Sequence, residues 1–335
     1  MVHTLMINNR FLSSTYYNEV FKALESISKE NGSRFFKGKF GYETNALREH
    51  GFNKIILKKL KIDERYRRDY LSITIILNPA KLIRKGDEYT IKEEDLEEIK
   101  AEFDCIKNKI NIGLPSLENW EVNRIDYAIN IKTRHVKEYI KLFQRGDKPK
   151  GFKEPYCSIS RRRKQLEGSF YLFNKSVGIN FYDKEDQLLK KNFNRDGVED
   201  LLRLEIQCNK PKTNSIKYKK GFGTSYVKSF LQADLSKEYI NTYYDKTIGS
   251  GDYYKLSKAI QIVEESNYTK TMKDKLVEVL RAINKHRSIW KAREKSKYSR
   301  NSFNKYLNMI RTLNINPVTI PSEWGVSFLK NLIEE

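Results

Sequence analysis

The 335-residue chain carries 64 Lys and Arg against 43 Asp and Glu, a formal net charge of +21, with 39% hydrophobic and 12% aromatic residues. That apolar share can build real cores, which excludes wholesale disorder, and the length suits one large domain or two ordinary ones. The charge points to a polyanionic partner, with nucleic acid first and an anionic membrane surface second, and says little about fold. No run of about 18 apolar residues supports a membrane span, and residues 1–10 lack the apolar stretch of a secretion signal. Cys105, Cys157 and Cys208 are widely spaced and odd in number, as expected in a reducing cytoplasm and not in a disulfide framework or zinc site. Abundant Lys, Asn and Ile suit an AT-rich bacterial genome, so a cytoplasmic bacterial protein is expected.

In chain order, residues 2–8 predict a first strand. Residues 16–29 predict a helix, with Val20, Phe21, Leu24 and Ile27 at helical spacing. Residues 71–77 are β-branched and stop at the turn signal Asn78-Pro79. Residues 93–110 predict an amphipathic helix through Leu96, Ile99, Phe103 and Ile106. Four strands follow at 120–131, 168–173, 177–182 and 201–208, with a helix at 136–143 and another beginning at 184–191. Residues 221–241 read as loop and short helix, and 244–254 as a linker around Gly249, Ser250 and Gly251. From 256 the pattern is mostly helical: 271–284, then 302–313 capped by Ser299 or Ser302, ended by Asn316-Pro317. No internal repeat stands out.

This order predicts an α+β fold with a mostly antiparallel sheet in residues 1–250, and a helical, basic domain in 251–335. In a strand, side chains two apart share a face. Ile125, Tyr127, Ile129 and Ile131 then face a core, and Arg124, Asp126, Ala128 and Asn130 face away from it. By the same alternation Asn180 and Tyr182 oppose Ile179 and Phe181, while Arg203, Glu205 and Gln207 oppose Leu202, Leu204 and Ile206. If these strands share one sheet, a single face gathers Asp126, Tyr182 and Glu205 beside Arg124 and Arg203, with Lys184 joining if its strand runs on. Two carboxylates on a rigid sheet can hold Mg²⁺ or Mn²⁺, and the ion would polarise a scissile phosphate. The competing expectation is an ordinary solvated sheet face, with Arg124–Asp126 and Arg203–Glu205 as surface pairs worth about 0–1 kcal/mol.

The words on these strands resemble the replication initiation factor family, which includes rolling-circle Rep proteins of small plasmids and related conjugative relaxases. Asn123-Arg124-Ile125-Asp126-Tyr127-Ala128-Ile129-Asn130 resembles its R-[IL]-D-x-A-x-D strand. Gly168-Ser169-Phe170-Tyr171-Leu172-Phe173-Asn174-Lys175-Ser176 resembles its Y-[FL]-G-[SN]-[RK]-x-S hairpin. Ile179-Asn180-Phe181-Tyr182-Asp183-Lys184-Glu185 and Leu202-Arg203-Leu204-Glu205-Ile206 resemble the next two strands. The likeness covers about residues 117–220, in order and spacing. It implies a Rep-type catalytic domain with Tyr182 as nucleophile and Tyr171 as the alternative. Asp126, Glu205 and Asp183 would meet the metal, and Lys184, Arg124 and Arg203 the phosphate; a homodimer is implied as well. Asn130 stands where the family often has a second Asp, and Phe173 replaces a hairpin glycine. No His-hydrophobe-His motif exists among His3, His50, His135 and His286.

Nine cations against one acid lie in residues 285–311: Lys285, Arg287, Lys291, Arg293, Lys295, Lys297, Arg300, Lys305 and Arg311 against Glu294. Trp290, Tyr298, Phe303 and Tyr306 interleave with them. A plain or winged helix-turn-helix is expected, with residues 299–311 entering a groove. Arg161, Arg162, Arg163 and Lys164 form a second cluster suited to backbone phosphate. With no G-x-x-x-x-G-K-[ST] loop, unwinding of origin DNA would fall to a host helicase. The alternatives are a relaxase with the same chemistry and a DNA-binding regulator without catalysis.

Overall fold

The computed structural model describes residues 1–11, 13–63, 68–86, 88–157, 162–163, 165–190 and 197–333. Arg161 and Lys164 lie outside them, and Arg162–Arg163 is described only as a two-residue strand. The strands are β1 Val2–Arg10, β2 Phe36–Gly38, β3 Gly41–Thr44, β4 Phe52–Asp63, β5 Arg68–Leu77, β6 Glu121–Lys132, β7 Tyr156–Cys157, β8 Arg162–Arg163, β9 Ser169–Phe173, β10 Val177–Asp183, β11 Leu201–Asn209, β12 Tyr253–Tyr254 and β13 Phe328–Leu329. The helices are α1 Ser14–Glu30, α2 Pro79–Leu82, α3 Leu96–Ile110, α4 Val136–Phe143, α5 Lys184–Leu189, α6 Lys210–Lys220, α7 Ala233–Thr247, α8 Leu256–Glu265, α9 Lys270–His286, α10 Ile289–Glu294 and α11 Arg300–Arg311. The chain is thus α+β, as its alternating periods predict, and among the described residues no helix is long and apolar enough to cross a membrane.

Nine strands form one sheet in the order β2-β3-β4-β5-β1-β6-β11-β10-β9. Every neighbouring pair in it is antiparallel. The order hides a duplication. Strand β1, helix α1 and strands β3, β4 and β5 are laid down as 3-4-5-1. Strand β6, helix α4 and strands β9, β10 and β11 give the mirrored order 6-11-10-9, and β1 and β6 meet at the centre. Each half is thus a strand, a helix and a three-strand meander whose last strand returns beside the first. No sequence repeat betrays this, because only the path of the chain is repeated.

The apolar faces lie as alternation dictates. Leu5, Ile7, Ile55, Leu57, Ile73, Ile75, Ile125, Tyr127, Ile179, Phe181, Leu204 and Ile206 are buried in one core. Helices α1, α3, α4, α6 and α7 cover this side through Val20 and Leu24, Ile99 and Phe103, Phe143, Ile216, and Tyr239 and Tyr243. Helix α7 corrects the expectation of a linker at 244–254: Leu235, Tyr239, Ile240, Tyr243, Tyr244 and Thr247 form a buried helical stripe. Strands β2 to β4 extend the sheet through residues 36–63, for which the sequence predicts no strand.

Residues 256–311 are mostly helical, as expected, and no helix follows among the described residues 312–333. Helix α11 buries Phe303, Tyr306, Leu307 and Ile310, an i, i+3, i+4, i+7 stripe. Ser299 Oγ caps it by accepting from the N–H of Ser302 at 3.2 Å. Helices α10 and α11 pack with α9, but strands β12 and β13 pair from opposite ends of this region. Among the described residues no hairpin follows α11 as a wing would.

The helical region is seated firmly on the sheet portion. The Tyr139 hydroxyl donates to the Lys330 carbonyl at 2.7 Å, and the Ile289 N–H to the Arg145 carbonyl at 2.9 Å. Both arms of Arg293 donate to Asp147, Nη1 at 3.0 Å from Oδ1 and Nη2 on Oδ2. This corrects the expectation that Arg293 meets DNA, because the guanidinium is consumed within the protein and only 9% exposed. Arg293→Ala strands a largely covered carboxylate, so we expect a loss of about 3 kcal/mol. Urea unfolding measures it, and an unchanged midpoint would mean that water already screens the pair.

Candidate active site

The strand registers decide which polar side chains meet on the face away from the helices. One cross-strand row runs Ser169, Tyr182, Arg203, Asn130. The next runs Tyr171, Asn180, Glu205, Ala128, and the one after it Phe173, Gly178, Gln207, Asp126, Thr4. Tyr182 and Asp126 therefore lie diagonally on either side of Glu205, a separation that long side chains bridge.

The contacts follow this lattice. The Tyr182 hydroxyl donates to Glu205 Oε2 at 3.1 Å, and Gln207 Nε2 donates to Glu205 Oε1 at 3.0 Å. Arg124 grips Asp126 with a two-pronged fork, Nε to Oδ1 at 2.7 Å and Nη2 to Oδ2 at 2.6 Å. Arg203 Nε donates to Asn130 Oδ1 at 2.7 Å. Asp126 is 1% exposed, Glu205 and Tyr182 4%, and Arg203 0%. This is not a solvated sheet face.

Burial sets the electrostatics. Loss of water pushes the Asp126 carboxyl up to about 7, with the nearby Glu205 adding to the rise and Arg124 opposing it. Burial pushes Glu205 the same way, but His3, the Gln207 amide, Arg203 and the Tyr182 hydroxyl together hold it below its ordinary value. The Tyr182 hydroxyl is driven well above the usual tyrosine value by burial and then by Glu205, with Arg203 pulling against them. Tyr171 is raised by burial too, with Arg124 lowering it and Glu205 and Asp126 raising it. Its hydroxyl thus senses the same charges.

Tyr171 and Tyr182 share the wall of a cavity of about 440 Å³, with Leu166, Ser169, Asn180 and Gln207 among the other lining residues. This is where a substrate group can approach both hydroxyls. Gly178 keeps the space beside Gln207 open, since a Cβ there would lie 2.7 Å from Gln207 Oε1.

Asp126, Glu205, Tyr182, Arg124 and Arg203 are brought together, as alternation predicts. Asp183 and Lys184 are not. Strand β10 stops at Asp183, whose Oδ1 caps α5 by accepting from the Asp186 N–H at 3.1 Å. Asp183 borders the cavity but alternates away from Glu205, and Lys184 starts a helix instead of extending the strand. Its Nζ donates to Gln187 at 3.0 Å. His3 was not foreseen: a register shift between Val2 and Thr4 in β1 brings its Nδ1 to 3.8 Å from Glu205 Oε2. Nothing in the local sequence signals that bulge.

No protein-family model matches the sequence, and no curated protein matches it.

Among the described residues no three His, Cys, Asp or Glu side chains gather as a ready metal cage. The donor set still suits a hard cation in kind: Asp126 and Glu205 are two buried carboxylates, the charge of Glu205 disfavours that of Asp126, and a cation shared between them would relieve this. Lys291, Lys297, Arg300 and Lys305 are exposed on the helical region, with Lys297 paired to Glu278 at 2.9 Å.

Proposed function

We propose that this protein is a DNA strand transferase that nicks one strand at an origin and later rejoins it, as a rolling-circle replication initiator or a relaxase of a mobile element. The observation that supports this reading best is the buried Tyr182–Glu205 hydrogen bond, flanked by Arg203 and Asp126 and opening on a cavity. Tyr182 is the nucleophile, and Glu205 is placed to take its proton. The tyrosine oxygen bonds to phosphorus as the bond to the 3′ oxygen breaks. A 5′-phosphotyrosine and, after protonation, a 3′-hydroxyl primer result. Reversal by an incoming 3′-hydroxyl restores the phosphodiester and the free tyrosine.

Arg203 and Arg124 supply positive charge where the phosphate becomes more negative. Asp126 and Glu205 would hold Mg²⁺ or Mn²⁺, which would help disperse charge on the phosphate. Origin DNA is the partner, with strand separation left to a host helicase and a second copy of the chain in a homodimer. The test is supercoiled DNA bearing the cognate origin, incubated with the protein and Mg²⁺. Relaxed circles and a protein–DNA adduct resistant to denaturant are expected; binding without either product would favour a regulator that only binds.

A further inference from the structure

The loop after α4 is pinned on several sides. The Arg145 N–H bonds the Leu142 carbonyl at 2.9 Å, and the Gly146 N–H bonds Phe143 at 2.9 Å. Gly146 lies against the end of α7, where a Cβ would fall 2.5 Å from the Thr247 carbonyl oxygen. Gln144 Nε2 donates to the carbonyls of Leu166 at 3.0 Å and Ser169 at 2.8 Å, tying this loop to the rim of the tyrosine cavity. The Arg145 carbonyl accepts from the Ile289 N–H at 2.9 Å, tying it also to the turn between α9 and α10.

That turn carries Arg287, held in the left-handed region at φ 49° and exposed. Arg145 is lowered from the ordinary arginine value by burial and then by Arg287, with Glu323 acting the other way. The Ile289–Arg145 hydrogen bond sets the Arg145 loop against the turn that carries Arg287, and among the described residues neither guanidinium has an acid within 4 Å. The loop's own acid, Asp147, is already consumed by Arg293. Around this pair, Lys148 Nζ lies 3.5 Å over the Trp290 ring and Lys291 Nζ 5.4 Å from it. Lys141 Nζ lies 5.7 Å from the Trp324 ring. Both tryptophans are half-buried. Cations alternating with aromatic rings suit a single strand, whose phosphates and bases both need partners.

We infer that Lys141, Arg145, Lys148, Arg287 and Lys291 form a track for single-stranded DNA that leaves the tyrosine cavity over residues 166–169 and crosses to the helical region. The inference rests on the nicking reading for the direction of the strand, but the binding it requires can be measured without cleavage. The track spans both regions of the chain, so a bound strand would hold them together.

The experiment is fluorescence anisotropy with a labelled single-stranded oligonucleotide, titrated at several salt concentrations. The probes are wild type, Arg145→Gln/Arg287→Gln and, as a second variant confined to lysine side chains that reach solvent, Lys148→Glu/Lys291→Glu. Each lost phosphate contact should reduce the slope of log affinity against log salt by about 0.7, so about 1.4 for either double variant, with affinity down roughly tenfold or more at low salt. Both double variants keeping the wild-type slope, or a wild type that does not bind the strand, would overturn the track. A wild type that binds with the expected slope but never nicks would instead sink the proposed activity and leave the track standing.

Discussion

Tyr182→Phe should abolish the covalent protein–DNA adduct and cut nicking by at least about a thousandfold, because the nucleophile has no substitute at the same position. The change removes one oxygen and keeps the ring that packs beside Arg203. Its structural cost is the hydroxyl's hydrogen bonds to Glu205 and Arg203, about 1 kcal/mol each, so the variant should still fold. Tyr171→Phe is the matched control: same cavity, one row further from Arg203. It should still form the adduct, since Tyr171 has no carboxylate placed to take its proton among the hydrogen bonds described. Adduct formation measured on denaturing gels decides the matter. If Tyr171→Phe is the dead variant and Tyr182→Phe the live one, the roles are exchanged and Tyr182 becomes a buried prop for Glu205.

The face that carries these tyrosines was legible because alternation is a local property. Once Ile125, Tyr127, Ile179, Phe181, Leu204 and Ile206 are assigned to the core, their neighbours have only one other side to occupy. What alternation cannot give is register, and register is what places Glu205 between Tyr182 and Asp126. It also cannot give a bulge, so His3 stayed hidden. Asp183 went astray because Lys184, Glu185 and Asp186 follow it as a helical first turn, and an aspartate there caps more readily than it ligates. Arg293 looked like every other cation in its run, since the Asp147 that consumes it lies 146 positions away in the chain. Helix α7 was lost to its tyrosines and threonines, which are weak helix formers yet bury a continuous stripe against β6 and β11. The charge of strand β4, with lysines at 54, 58, 59 and 61, masked a period-two pattern in which Ile55 and Leu57 face the core.

Adding Mn²⁺ or Mg²⁺ should raise the melting temperature of the wild type, more at pH 8 than at pH 6, and Asp126→Asn and Glu205→Gln should each remove the shift. The sign follows from where the protons sit. Asp126 is raised from 3.8 to about 7 when folded, so between those values the folded protein holds a proton that the unfolded chain releases. Without a cation, stability from this group is therefore present at low pH and declines as pH rises through the window up to 7. Glu205 is lowered from 4.5; its contribution is present above that value and fades as pH falls through its folded pKa. Of these two carboxylates, only Asp126 keeps its proton up toward pH 7. A cation bound there must displace that proton, so each unit below 7 weakens apparent affinity about tenfold. At a hundred times its dissociation constant the cation would add about 2.7 kcal/mol, several degrees in a thermal melt. Arg124 already holds both Asp126 oxygens, so the cation has to share them, and this competition is what the experiment probes. A melting temperature indifferent to either ion at both pH values, with nicking absent as well, would leave Asp126 and Glu205 as a buried ion network that merely shapes a DNA-binding face.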